Sequence, residues 1–110
     1  MGGSPLSVLP PLVLGGLILD ESRHFCSINT YQVELTVTEF RILRCLAENP
    51  GVVKTREQLM QAAFPEDNYP NDRAADSHIK RIRKKLNSAD ASFDELEAVY
   101  GLGYRYKDKP

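Results

Sequence analysis

Asn71-Asp72-Arg73-Ala74-Ala75-Asp76-Ser77-His78-Ile79-Lys80-Arg81-Ile82-Arg83-Lys84-Lys85-Leu86 is the stretch from which the rest of the chain can be worked out. Ala75, Ile79, Ile82 and Leu86 follow spacings of four, three and four, which on a 3.6-residue period form one narrow aliphatic stripe. Arg73, Ser77, Lys80, Arg81 and Lys84 then point the other way. Asn71 or Asp72 is placed to cap the first turn, and Lys84 and Lys85 to sit at the negative end of the helix dipole. Residues 71–86 hold six Lys/Arg against two Asp, whereas the remainder holds eight against thirteen acids, in a chain whose net charge is −1. An acidic chain has gathered its positive charge onto one helix. That is the electrostatic pattern of a phosphate-backbone reader, although a merely solvated charged face would carry the same run.

Downstream, Asn87 to Asp94 is polar and loop-like, so the helix is expected to span about 72–87. Leu96 to Tyr100 and Tyr104 to Tyr106 then read as two short strands around Gly101-Leu102-Gly103, a hairpin over 96–106. No helix follows that Gly-x-Gly, which excludes a nucleotide-binding loop. Upstream lies an acidic loop, Phe64 to Asn71, containing Tyr69-Pro70. Before it, Thr55-x-x-Gln58 opens a short helix with Leu59, Ala62 and Ala63 inward. Thr36-x-x-Glu39 is a capping box, with Leu35 and Phe40 spaced as a hydrophobic staple. Its helix carries a stripe of Ile42, Leu43, Leu46 and Ala47 and stops at Asn49-Pro50-Gly51. From Leu12 to Leu35 the pattern is strand-like: 12–14, 17–19, 23–28 and 31–35, separated by turn residues.

Composition narrows the function classes. With 110 residues, 42% hydrophobic and 26% charged, the chain has room for one modest core. Cys26 and Cys45 make no C-x-x-C pair, and two His do not complete a metal set with them. Both cysteines read as small buried hydrophobes, in keeping with a reducing cytoplasm. The apolar run Leu6 to Leu19 lacks a basic leader, is broken by Pro10-Pro11 and Gly15-Gly16, and is too short to span a bilayer. Residues 1–11 are expected to be tag or linker remnant, 12–107 the domain and 108–110 a tail. No nucleophile elbow, zinc-protease motif, phosphate loop or catalytic triad is present, so neither enzyme activity nor a cofactor is expected.

A β-meander, three helices with the third basic, and a C-terminal hairpin is the layout of an α+β winged helix-turn-helix. The residues carry a more specific likeness. Leu35-Thr36-x-x-Glu39-Phe40-x-x-Leu43, Thr55-Arg56-Glu57-Gln58-Leu59, Asp72-Arg73-x-x-Asp76-x-His78-Ile79-x-Arg81-x-Arg83-Lys84 and Gly101-x-Gly103-Tyr104-Arg105 closely resemble the DNA-binding effector domain of the OmpR/PhoB family of bacterial two-component response regulators. The likeness covers Leu12 to Tyr106, in order and spacing. It implies sequence-specific binding of double-stranded DNA, with the third helix in the major groove and the wing at the minor groove. It also implies transcriptional regulation, direct-repeat sites, a homodimer on DNA, and an N-terminal receiver domain in the full-length protein. RNA polymerase is the partner implied for the loop 64–71, through Glu66, Asp67 and Tyr69. Ser77 and Ala74 stand where the family often has Val and Thr, and Tyr100 where Arg is frequent, so the family's base preference does not transfer.

On this reading Arg81, central on the exposed face, is placed to fork onto guanine O6 and N7, with Ser77 and Lys80 beside it. Arg73, His78, Arg83, Lys84 and Arg56 are expected at phosphates, which position without specifying. His78, on the flank of the stripe, has a structural role at the core edge as its alternative. Arg105, just past the wing turn, is expected at the minor groove. The alternative function is a winged-helix module that binds protein and no DNA, which the acidic loop would serve.

Overall fold

The computed structural model describes residues 10–66 and 74–108. The proposed linker residues 1–9, the caps Asn71 and Asp72, the phosphate candidate Arg73 and the loop residues Asp67 and Tyr69 lie outside them. Four antiparallel strands come first: β1 (Leu12–Leu14), β2 (Leu17–Asp20), β3 (Phe25–Ile28) and β4 (Tyr31–Gln32), paired in that order. Helices α1 (Val37–Ala47), α2 (Arg56–Ala63) and α3 (Ala74–Ala89) follow, then a hairpin of β5 (Leu96–Val99) and β6 (Gly103–Tyr106). No helix among the described residues is long and apolar enough to cross a membrane.

Both capping boxes form as the spacing requires. The Thr36 amide donates to Glu39 Oε1 at 2.9 Å and the Glu39 amide to Thr36 Oγ1 at 3.1 Å. Thr55 and Gln58 repeat the pattern at 2.8 and 3.0 Å. The stripe of α3 (Ala75, Ile79, Ile82, Leu86) is wholly buried, and so are Ile42, Leu43 and Leu46 of α1. Leu59 and Ala63 of α2 join them, with Met60 where Ala62 was expected to be buried. Leu17, Leu19, Cys26 and Ile28 close the core from the sheet. Burial pushes the Cys26 thiol up to about 11, as befits a packing residue.

Three expectations need correction. Arg23 and His24 are not strand: Glu21–Arg23 is a 3₁₀ turn that ends on His24 at φ 50°, whose ring contacts the Leu35 carbonyl at 2.9 Å. The strand expected over 31–35 stops at Gln32, although the Val33 amide still donates to the Cys26 carbonyl. Helix α3 runs to Ala89, so Lys84 and Lys85 are not in its last turn. Asn87 and Ser88, poor helix formers alone, are satisfied there: Asn87 Nδ2 donates to the Phe93 carbonyl and Ser88 Oγ to the Lys84 carbonyl.

The β3–β4 turn carries both central residues at positive φ, Asn29 at 49° and Thr30 at 72°. That is the twist-compatible primed turn, for which Asn-Gly is the favoured pair; a β-branched residue is strained there. Thr30→Gly should therefore stabilise the domain by about 1 kcal/mol, the usual scale of one strained backbone. Thermal unfolding reads it as a higher Tm, and an unchanged or lower Tm would refute the strain.

Candidate nucleic-acid interface

Burying the aliphatic stripe of α3 leaves Ser77, Lys80, Arg81 and Lys84 exposed along one side. Among the described residues neither Lys80 nor Lys84 has an ion-pair partner. Arg81 Nη1 lies 3.4 Å from His78 Nδ1, which orients the guanidinium along the helix surface. His78 is half-buried, and burial, with the Arg81 charge adding to it, holds its pKa below the ordinary range. It is therefore neutral at physiological pH and accepts from Arg81.

Arg56, Arg83 and Arg105, the other described arginines of the expected set, are held by partners, and so is Lys85. Arg83 turns back onto the wing, donating to the Leu96 carbonyl from Nε at 3.2 Å and Nη2 at 2.8 Å, with its guanidinium 5.8 Å from the centre of the Tyr104 ring. Lys85 Nζ reaches Glu39 Oε1 at 2.6 Å, so α3 is tied to the N-terminus of α1. Glu39 is 1% exposed. Burial pushes its carboxyl up, but the bonds from Lys85 and Thr36 outweigh that and hold it below the ordinary carboxylate value. Arg56, at the start of α2, pairs with Asp76 of α3 at 2.9 Å.

The wing stands beside this face. Gly103 lies against the Lys54 backbone, and the Lys54 and Tyr104 amides and carbonyls exchange hydrogen bonds of 2.7 and 3.0 Å. The hairpin is thus bolted to the strand-like segment that leads into α2. Arg105 faces Glu97 across the β5–β6 register and bonds it at 2.7 Å. At the tip Tyr100 is fully exposed and Leu102 61% exposed, so the part of the wing farthest from the body is uncharged. Glu66 of the acidic loop is exposed. Spacing along the chain missed the partners of Arg83 and Lys85, which are distant in sequence, and it missed Glu97 as well: strands at 96–100 and 104–106 would set Val99 against Arg105, whereas β5 ends at Val99 and β6 begins at Gly103.

Comparison with known proteins agrees with this geometry. The family model for transcriptional regulatory protein C-terminal domains matches residues 30–106. The transcriptional regulatory protein BaeR of Escherichia coli O6:H1 is 44% identical over 91 residues, covering 83% of this chain and 38% of BaeR. The chain spans less than half the length of the curated relatives it matches. The crystal structure of the DNA-binding domain of CpxR from E. coli is 33% identical with a TM-score of 0.76, covering 90% of this chain and 97% of that one. The AdeR response-regulator DNA-binding domain, solved in complex with an intercistronic region, is 30% identical with a TM-score of 0.79, covering 88% and 99%. The chain belongs to the family of transcriptional regulatory protein C-terminal domains, the winged-helix domains of OmpR/PhoB-type response regulators.

Proposed function

We propose that this chain is the DNA-binding output domain of a two-component response regulator and acts in transcription by reading specific double-stranded DNA. The observation that carries the proposal is the single exposed side of α3, where Ser77, Lys80, Arg81 and Lys84 stand clear of a fully buried stripe. The helix enters the major groove and the β5–β6 wing follows the adjacent minor groove. Arg81, steadied by neutral His78, contacts a guanine, with Ser77 allowing close approach and Lys80 beside it. Lys84, Arg56 and Arg73 hold phosphates. Arg83 acts through the wing, because its donors are engaged on Leu96. Arg105 meets the minor groove while bonded to Glu97, which lowers the charge it presents.

The domain spans residues 12–107. In the full-length protein a receiver domain precedes it, a homodimer forms on direct-repeat sites, and the loop 64–71 meets RNA polymerase through Glu66, Asp67 and Tyr69. The setting is the cytoplasm, without catalytic activity or cofactor.

The test is selection of bound duplexes from a random library, then titration of the selected duplex at several salt concentrations by fluorescence anisotropy. Contacts to six to eight phosphates predict a log–log salt slope of about −5 to −7. Arg81→Ala should cost about 1–3 kcal/mol on the selected duplex and relax preference at one base pair. Arg105→Ala should weaken binding to many sequences and erase any preference for A·T-rich flanks. A slope near zero would remove DNA binding and leave the protein-interaction module. A shift of G·C preference by Arg105→Ala, with none from Arg81→Ala, would overturn the docking.

A further inference from the structure

Asp76 is an acid in the first turn of a basic helix, on the side nearest the wing, where a bare carboxylate would repel phosphate. It is not bare. The Tyr104 hydroxyl of β6 and Arg56 Nε of α2 both donate to Asp76 Oδ1. These bonds, the Tyr104 one foremost, hold the Asp76 carboxyl below the ordinary range, so it is ionised throughout the physiological window. Tyr104 is bonded through its backbone to Lys54, two residues before Arg56. Lys54, Tyr104, Asp76 and Arg56 therefore close a ring through the lead into α2, the wing and α3. Arg83, its guanidinium carbon over the Tyr104 ring, braces the ring from the helix side while holding Leu96. The wing has no other described side-chain bond to the first turn of α3.

We propose that Asp76 and Tyr104 are positioning residues: their bond sets the angle between α3 and the wing, and so couples what the helix reads in the major groove to what the wing reads in the minor groove. The inference rests on the DNA-binding reading above. A rigid angle matters because the two grooves are offset along the duplex, and contacts in both add only if helix and wing arrive in register. It also explains why a carboxylate stands on this face: one oxygen accepts from two elements at once, which neither a hydroxyl nor an amide does with the same charge-assisted strength. Neither residue needs to touch DNA.

Tyr104→Phe keeps the buried ring and removes only the hydroxyl; Asp76→Ala removes the acceptor. Both are to be titrated against the duplex that the unaltered chain selects and against a random-sequence duplex, with hydroxyl-radical and dimethyl-sulfate footprints on the former. Loss of one charge-assisted hydrogen bond predicts about tenfold weaker binding of the selected duplex by either variant; on the random duplex Tyr104→Phe should change binding by less than about twofold, and Asp76→Ala, which also removes a negative charge and frees Arg56, should not weaken it. Minor-groove protection beneath the wing should fade while guanine protection beneath α3 persists, and the double variant should be no worse than the single ones, since the two act as a unit. A parallel loss on both duplexes, or of both protections together, would make the pair merely part of the fold and overturn the proposal. Unchanged affinity and footprints in Tyr104→Phe would overturn it as well. If the unaltered chain selects no duplex, the DNA-binding reading itself falls, and that is visible before any variant is made.

Discussion

Gly103→Ala should unfold the domain at a temperature well below that of the unaltered chain, with a loss of about 3–5 kcal/mol. Gly103 sits at φ 151°, in the region L-residues avoid, and a Cβ there would lie 2.1 Å from the Lys54 carbonyl oxygen and 2.9 Å from its carbon. Strain of this kind costs about 1–3 kcal/mol alone. The close atoms are backbone, so the hairpin must lift to make room. Lifting it breaks the two Lys54–Tyr104 bonds, at about 1 kcal/mol each, and exposes Tyr104, now 8% exposed. Gly101, in the turn between β5 and β6, supplies the control. It also has a positive φ, 78°, but nothing stands within 4 Å of its added Cβ. Gly101→Ala should therefore cost only the backbone strain, about 1 kcal/mol. Thermal unfolding of the pair decides the matter: equal losses would mean that the contact with Lys54 does not hold the wing. Because Tyr104 also carries the bond to Asp76, whatever Gly103→Ala protein remains folded should bind the selected duplex poorly.

What could be read from the chain was what depends on near neighbours. Thr36 with Glu39 and Thr55 with Gln58 are three residues apart, so their boxes follow from spacing alone. The stripe Ala75, Ile79, Ile82 and Leu86 follows from the helical period, and the exposed side from the stripe. The hairpin itself follows from Gly101-Leu102-Gly103 between two strand-like runs, but its register does not: a turn over those three residues would set Val99 against Arg105, whereas the chain turns over Tyr100–Leu102 and sets Glu97 there. What could not be read depends on the packed fold. Arg83 and Lys85 look like ordinary cations of a basic helix, and only the wing's Leu96 carbonyl and the buried Glu39 claim them. Asn87 and Ser88 look like a helix stop until Phe93 supplies an acceptor. The consequence for function is direct. Counting six Lys/Arg overstates the charge free to meet phosphates, and it conceals how α3 is fixed in place: at Asp76, at Arg83 and at Lys85.

The last of those ties predicts a stability difference that depends on pH. Lys85→Met keeps the side chain's length and apolar stem but removes the ammonium 2.6 Å from Glu39 Oε1. Removing one partner of a buried pair usually costs about 3–5 kcal/mol. Lys85 is 37% exposed at its side chain, so water already screens it, and about 2–3 kcal/mol is expected at neutral pH. In the unaltered chain the Glu39 carboxyl is held below its ordinary value, so its contribution is present above the unfolded-state pKa and is lost as pH falls through the folded-state pKa. Without Lys85 only the Thr36 bonds oppose burial, so the carboxyl is held down less and the variant loses less stability than the unaltered chain as pH falls. The gap in Tm between the two proteins should therefore be widest at neutral pH and should narrow as pH falls through the acid range in which Glu39 takes up its proton. Glu39→Gln isolates the cause: glutamine keeps the capping box while carrying no charge, so it should cost less than Lys85→Met and show little pH dependence of its own. Thermal unfolding over a pH series measures all three, and a Lys85→Met gap that stays constant with pH would show that Lys85 contributes packing and not charge. Should the gap narrow as expected, the variant's relative recovery at low pH would mark the buried Glu39 carboxylate, in the first turn of α1, as the anchor that holds the C-terminal half of the reading helix to the body of the domain.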